Sequence, residues 1–168
     1  MLKNIEWKDT FKWAFFGAIL FCIPAFIYIV KADYTASWIL FLGAILFLFA
    51  NAFHNVIESK KKGSEESMAA LVFEAHVTTI IGIILACFIC FLLLVILVPG
   101  YLEAAPAQKL LVNEPVTTVM DKTNGLSFNL FVAAAVLNFA GGSIVGITVP
   151  FYAKRYKTKN NKQPLPLQ

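Results

Sequence analysis

The sequence predicts an all-α fold, an integral membrane four-helix bundle with both termini on the cytoplasmic side. Three observations predict it. Hydrophobic residues make up 59% of the chain and charged residues only 14%, where a soluble domain carries roughly 25% charged. The charges cluster so as to leave four uncharged stretches, 13–30, 34–57, 75–102 and 123–153. Once those stretches are read as spans, Lys and Arg divide unequally between the two sides of the bilayer.

Each stretch meets the requirement of about 20 predominantly apolar residues, since ~30 Å of hydrocarbon is crossed at ~1.5 Å per helical residue. None alternates in polarity over roughly 10 residues, as a barrel strand would. The spans are expected near 11–31, 35–58, 66–98 and 126–153. With the N-terminus inside, Lys3, Lys8, Lys12, Lys60, Lys61, Lys62, Lys154, Arg155, Lys157, Lys159 and Lys162 are cytoplasmic. Only Lys31, Lys109 and Lys122 fall outside, a division of 11 to 3 that obeys the positive-inside rule. This places the chain in a plasma (bacterial inner) membrane as a multi-pass protein, with the lipid bilayer as its first partner. The net charge of +4 is then a topology signal. Basic residues interleaved with aromatics for base stacking are absent, so no nucleic acid is expected. The basic start followed by an apolar run has the outline of a signal peptide. Eighteen uncharged residues are long for such a core, and no small-x-small cleavage pattern precedes Lys31, so the first span is expected to be retained.

Residues 1–12 mix charge with Trp7 and are expected to lie at the interface. Pro24 removes a backbone donor within helix 1 and is expected to kink it. The short 31–34 turn makes helices 1 and 2 antiparallel neighbours. A turn centred on Gly63, with Ser64 as N-cap and Glu65 and Glu66 in the first turn, leads into helix 3. Helices 2 and 3 are therefore expected to form an antiparallel hairpin. Pro99-Gly100 ends helix 3 and opens an outer loop of about 100–125, in which Ala107–Asn113 has the outline of a short surface helix. Asn124-Gly125 signals a turn before helix 4. Residues 1–153 thus make one four-span domain, and 154–168 a basic, Pro-rich, disordered tail. Gly17-Ala-Ile-Leu-Phe21 recurs as Gly43-Ala-Ile-Leu-Phe47, which reads as compositional coincidence in a chain built from these residue types.

Polar side chains within the spans are costly and therefore candidates for function. Helix 2 carries Asn51, His54, Asn55 and Glu58, spaced to share one face, and helix 3 carries Glu74, His76, Thr78 and Thr79. A hairpin about Gly63 sets Asn51 level with Glu74. Asn51, His54, Glu58 and Glu74 then form a polar cluster near the cytoplasmic boundary, able to bind an ion, relay protons or simply pin the hairpin. His54 and His76 differ in level by ~7.5 Å at 1.5 Å per residue. Glu74 and His76 point to opposite sides of their helix, and no Glu-x-x-His pair occurs. No metal or cofactor is expected. Cys87-x-x-Cys90, with Cys22 at similar depth, invites a redox reading. The motif is similar to that of four-span thiol oxidoreductases of the vitamin K epoxide reductase kind. That family also needs a second cysteine pair on the outer side, which this sequence lacks, and burial suppresses thiolate, so the three read as apolar filler.

Two lines of small residues remain. One is Ala70, Glu74, Thr78, Gly82, Ala86 and Cys90, and the other is Ala134, Asn138, Gly142, Gly146 and Pro150. Small residues four apart allow helix backbones to approach closely. They are expected to serve packing within the bundle first. With the small size and the absence of a catalytic constellation, they also point to a non-enzymatic role, as an accessory or scaffold subunit associating with other membrane helices or with itself. The alternative is an oligomeric ion- or proton-coupled transporter or channel using Glu74 with Asn51 and His54.

Overall fold

The computed structural model describes residues 5–31, 34–62, 66–99, 101–102 and 120–160. Almost all of them are helical, and none is in a strand. The elements are α1 (Trp7–Lys31), a 3-10 turn (Tyr34–Ser37), α2 (Trp38–Lys61), α3 (Met68–Leu97), α4 (Met120–Val132), a π turn (Ala133–Leu137) and α5 (Asn138–Asn160). The last three make one rod, so four helices are long and apolar enough to cross a membrane: Trp7–Lys31, Trp38–Lys61, Met68–Leu97 and Leu126–Arg155.

Several boundaries differ from those the sequence predicts. Helix 1 begins at Trp7, so the stretch expected at the interface is its first turn, where Asp9 suits the positive end of the helix dipole. It runs on through Pro24. The N-cap of α3 is Ser67, whose hydroxyl accepts a hydrogen bond from the Ala70 N–H at 3.1 Å. Ser64 and Gly63 lie outside the described residues, as do 103–119 with the expected surface helix Ala107–Asn113. The Asn124-Gly125 turn signal falls inside α4, where one helical Gly costs only about 1 kcal/mol. At the other end α5 continues to Asn160, so the first residues of the expected tail are helical. Lys154 donates to the backbone carbonyl of Glu66, tying this end to the start of α3.

Helices α2 and α3 are not the neighbours that a hairpin would make them. α1 packs along both, α5 packs along both, and α2 and α3 face each other across the diagonal. A short connection does not force adjacency. Residues 62–67 reach ~20 Å when extended, and helices 8–10 Å apart have a diagonal of only ~14 Å.

Glycines and phenylalanines explain the close pairs. A Cβ on Gly17 would stand 3.3 Å from the Phe47 ring, and one on Gly43 would stand 3.0 Å from the Phe21 carbonyl and 3.2 Å from its ring. The two copies of Gly-Ala-Ile-Leu-Phe therefore lie antiparallel against each other, each Phe seated on the other copy's Gly. Whatever the origin of the repeat, its two copies pack on each other. Phe47 also touches Gly82 of α3, where a Cβ would come within 2.9 Å of its ring, and so fills the centre of the diagonal. On the opposite seam Gly142 receives Thr79 and Gly146 receives Ala75. Thr78, Gly82, Ala86, Ala134, Asn138, Gly142 and Gly146 are all buried inside the four helices. The outward faces of α1 and α2 carry Phe11, Phe15, Phe16, Phe41, Phe49 and Phe53.

Candidate functional site

At the end of the bundle where α1 and α3 begin and α2 and α5 finish, the buried side chains change from apolar to polar. The change follows from the spacing on α2. Asn51, His54, Asn55, Glu58 and Ser59 repeat at three- and four-residue intervals, so one stripe turns them all inward, and each is buried.

The lowest part of the site is an ion-paired triad. Lys62, at the C-terminus of α2, reaches Glu58 one turn back at 3.5 Å and also grips Glu74 of α3. Both carboxylates are about 95% covered, and the ammonium is 11% exposed. One lysine thus bridges the diagonal of the bundle. Glu58 Oε2 and Glu74 Oε1 have no hydrogen-bond partner among the described residues. Such a pair resists removal of either member, because the remaining charge would be buried alone.

One turn further in, the His54 ring stacks on Trp13 of α1, with ring centroids 5.9 Å apart and planes 30° apart. The imidazole is 1% exposed and neither ring nitrogen has a hydrogen-bond partner among the described residues. The hydroxyls of Thr10 and Ser59, also buried, are in the same position. Apolar burial of this many unmatched polar groups is expensive.

Beside the triad, Asp9 of α1 and Glu6 just before that helix add two more carboxylates. Glu6, Asp9 and Glu58 each place one oxygen within 4.8 Å of the others. Lys61 reaches over from α2 to Glu6 and, at 3.4 Å, to Asp9. Four carboxylates (Glu6, Asp9, Glu58, Glu74) therefore face two ammonium groups (Lys61, Lys62), a formal excess of two negative charges among these six.

The polar residues singled out from the sequence divide. Glu58 and Glu74 come together, and His54 lies one turn away. Asn51 does not meet Glu74; its amide donates to the Phe47 carbonyl of its own helix at 3.1 Å, which satisfies it locally. Thr78 and Thr79 likewise donate to Glu74 and Ala75 carbonyls one turn back. Asn138 follows the π turn, is fully buried, and donates to the Ala134 carbonyl at 3.1 Å, leaving its own oxygen without a partner among the described residues. His76 is half-buried, with Nδ1 2.8 Å from the Val72 carbonyl. The three cysteines are free, and Cys22 and Cys90 meet across α1 and α3 with sulfurs 3.9 Å apart.

Sequence reasoning missed Glu6, Asp9, Thr10, Trp13, Lys61 and Lys62. The repeat contained the missing signal. Gly17 against Phe47 and Phe21 against Gly43 both sum to 64, and the same antiparallel register sets Thr10 against His54 and Glu6 against Glu58. Compared with protein families, with curated proteins and with solved structures, the chain finds no match. The chemistry must be argued from the site alone.

Proposed function

We propose that this chain is a multi-pass plasma-membrane protein with cytoplasmic termini that binds and transfers a cation or proton at its cytoplasmic end. One observation carries the reading: Glu58, Lys62 and Glu74 are ion-paired inside an apolar bundle, with His54 unmatched above them. Ionisable groups buried at membrane depth cost several kcal/mol and mark ion and proton routes. The division of Lys and Arg supports the orientation. The small-residue lines no longer argue for an external partner, because their side chains are used within the chain. The test is proton and cation flux in liposomes containing the purified protein. Flux is expected, and Glu74→Gln and Glu58→Gln each reduce it at least tenfold. Absent flux, or flux unchanged in both variants, ends this reading.

A second, non-enzymatic reading as an accessory or scaffold subunit is favoured by α3, the most apolar and least covered of the four helices. Ile84, Phe88 and Ile96 stand out from the bundle at 58% exposure or more. Purification from native membranes should then recover a second membrane protein bound to this face. A lone monomer in mild detergent, with nothing captured, counts against it.

A further inference from the structure

We propose that Cys22 of α1 and Cys90 of α3 form a two-coordinate site for a soft monovalent cation of the Cu+ and Ag+ class. The site lies in the apolar part of the bundle, away from the ion-paired end, and does not depend on the function proposed for that end.

Helix packing brings the two sulfurs together. α1 and α3 run side by side in the same direction, and a Cβ on Gly82 would stand 3.3 Å from the Ala14 carbonyl. Ala14 with Gly82 and Cys22 with Cys90 are both 68 residues apart. The sulfur contact therefore follows from a register that the backbones fix two turns away. The sulfurs are 3.9 Å apart, both side chains are buried, and neither is in a disulfide. Metal–thiolate bonds of ~2.3 Å place two sulfurs on one ion no more than ~4.6 Å apart. The pair already stands at chelating distance.

The surroundings choose the ion. Sulfur ligands select soft metals such as Cu+, and thiolates also hold Zn2+, but Zn2+ takes four ligands. Among the described residues, the group of three close His, Cys, Asp or Glu ligand atoms lies elsewhere, at Glu6, Asp9 and Glu58. No third such ligand completes the cysteine pair, and two suffice for a closed-shell monovalent ion. Charge points the same way. One turn along each helix the buried neighbours are Ala18, Ala25, Ala86 and Leu94, none of which could offset a net charge, and an uncompensated charge is costly to bury. On binding, Cys90 releases its proton to the aqueous phase and bonds the ion as thiolate. Cys22 bonds it through sulfur as a thiol and keeps its proton, which it donates to the Ala86 carbonyl at 3.9 Å. Two neutral thiols thus become a neutral complex, one cation entering for one proton released.

The site can be tested without transport. Tag-free, full-length protein in detergent is reduced, kept anaerobic and titrated with Cu+ against a chromogenic Cu+ chelator. One ion per chain is expected, with one proton released, and a hundredfold excess of Zn2+ does not displace it. Cys22→Ala and Cys90→Ala each weaken binding at least tenfold, since loss even of an outer-shell partner costs ~10-fold or more. Cys87→Ala, three residues from Cys90 on the same helix and only half-buried, leaves the affinity unchanged. X-ray absorption at the copper edge of the unmodified chain shows two sulfur neighbours, a result that misfolding of a variant cannot mimic. No stoichiometric binding, an equal loss in Cys87→Ala, or copper held by nitrogen or oxygen overturns the proposal.

Discussion

Phe47 stands against Gly17 of α1 and Gly82 of α3 at once, and it is fully buried. Its replacement tests how the bundle is held. In water, removing such a ring costs both transfer and cavity energy, but in a bilayer the unfolded side chain is already among apolar tails. Only the packing part is lost. At ~24 cal/mol per Å3 over roughly 100 Å3 of missing side chain, Phe47→Ala should cost about 2 kcal/mol. Unfolding in mixed micelles at increasing denaturing detergent would measure it, and a loss under 0.5 kcal/mol would mean that the two glycine contacts do not hold the helices. At the same scale, the polar residues show why burial does not equal function. Asn51 and Asn138 look alike in sequence to His54, yet each donates to a carbonyl of its own helix. His54 has no donor or acceptor so placed. The difference is not reach, since the His76 ring contacts the Val72 carbonyl one turn back; the His54 ring is instead stacked on Trp13.

The helices themselves were largely legible. Four charge-free stretches of the right length appear as four helices long and apolar enough to cross a membrane. Their ends were less so, since caps compete locally: Ser67 rather than Ser64 is the N-cap of α3, and α5 outruns its apolar segment by several residues. Helix pairing was the main failure. Chain order suggested that α2 sits beside α3, and the polar cluster was assembled on that assumption. Yet α1 lies between them on one side and α5 on the other. Glu58 and Glu74 still meet, through the length of one lysine side chain across the diagonal. The contribution of α1 to the site was hidden, since Glu6 and Asp9 precede the apolar stretch and look like ordinary solvated charges. Only the register set by the Gly–Phe repeat brings them opposite His54 and Glu58.

Among the described residues, ion-paired side chains gather at one end of the bundle. Glu6, Asp9, Lys61, Lys62 and Glu74 gather there with Lys154. The basic run Lys60, Lys61 and Lys62 ends α2 at this same end. Orientation and chemistry are therefore coupled through the same lysines. Replacing Lys60, Lys61 and Lys62 together by Gln should leave part of the population inverted, read as a C-terminal reporter accessible from both sides of the membrane. A reporter that stays wholly cytoplasmic would show that other charges fix the direction. The contact between α1 and α2 makes such a safeguard necessary. Because each copy of Gly-Ala-Ile-Leu-Phe offers the other what it receives, the seam is self-complementary. Over these five residues, an upside-down α1 from another molecule would offer α1 the same Gly and Phe that α2 does. Steric fit at this interface is blind to identity, so the distinction between folding within one chain and swapping with an inverted neighbour falls to the lysines outside it.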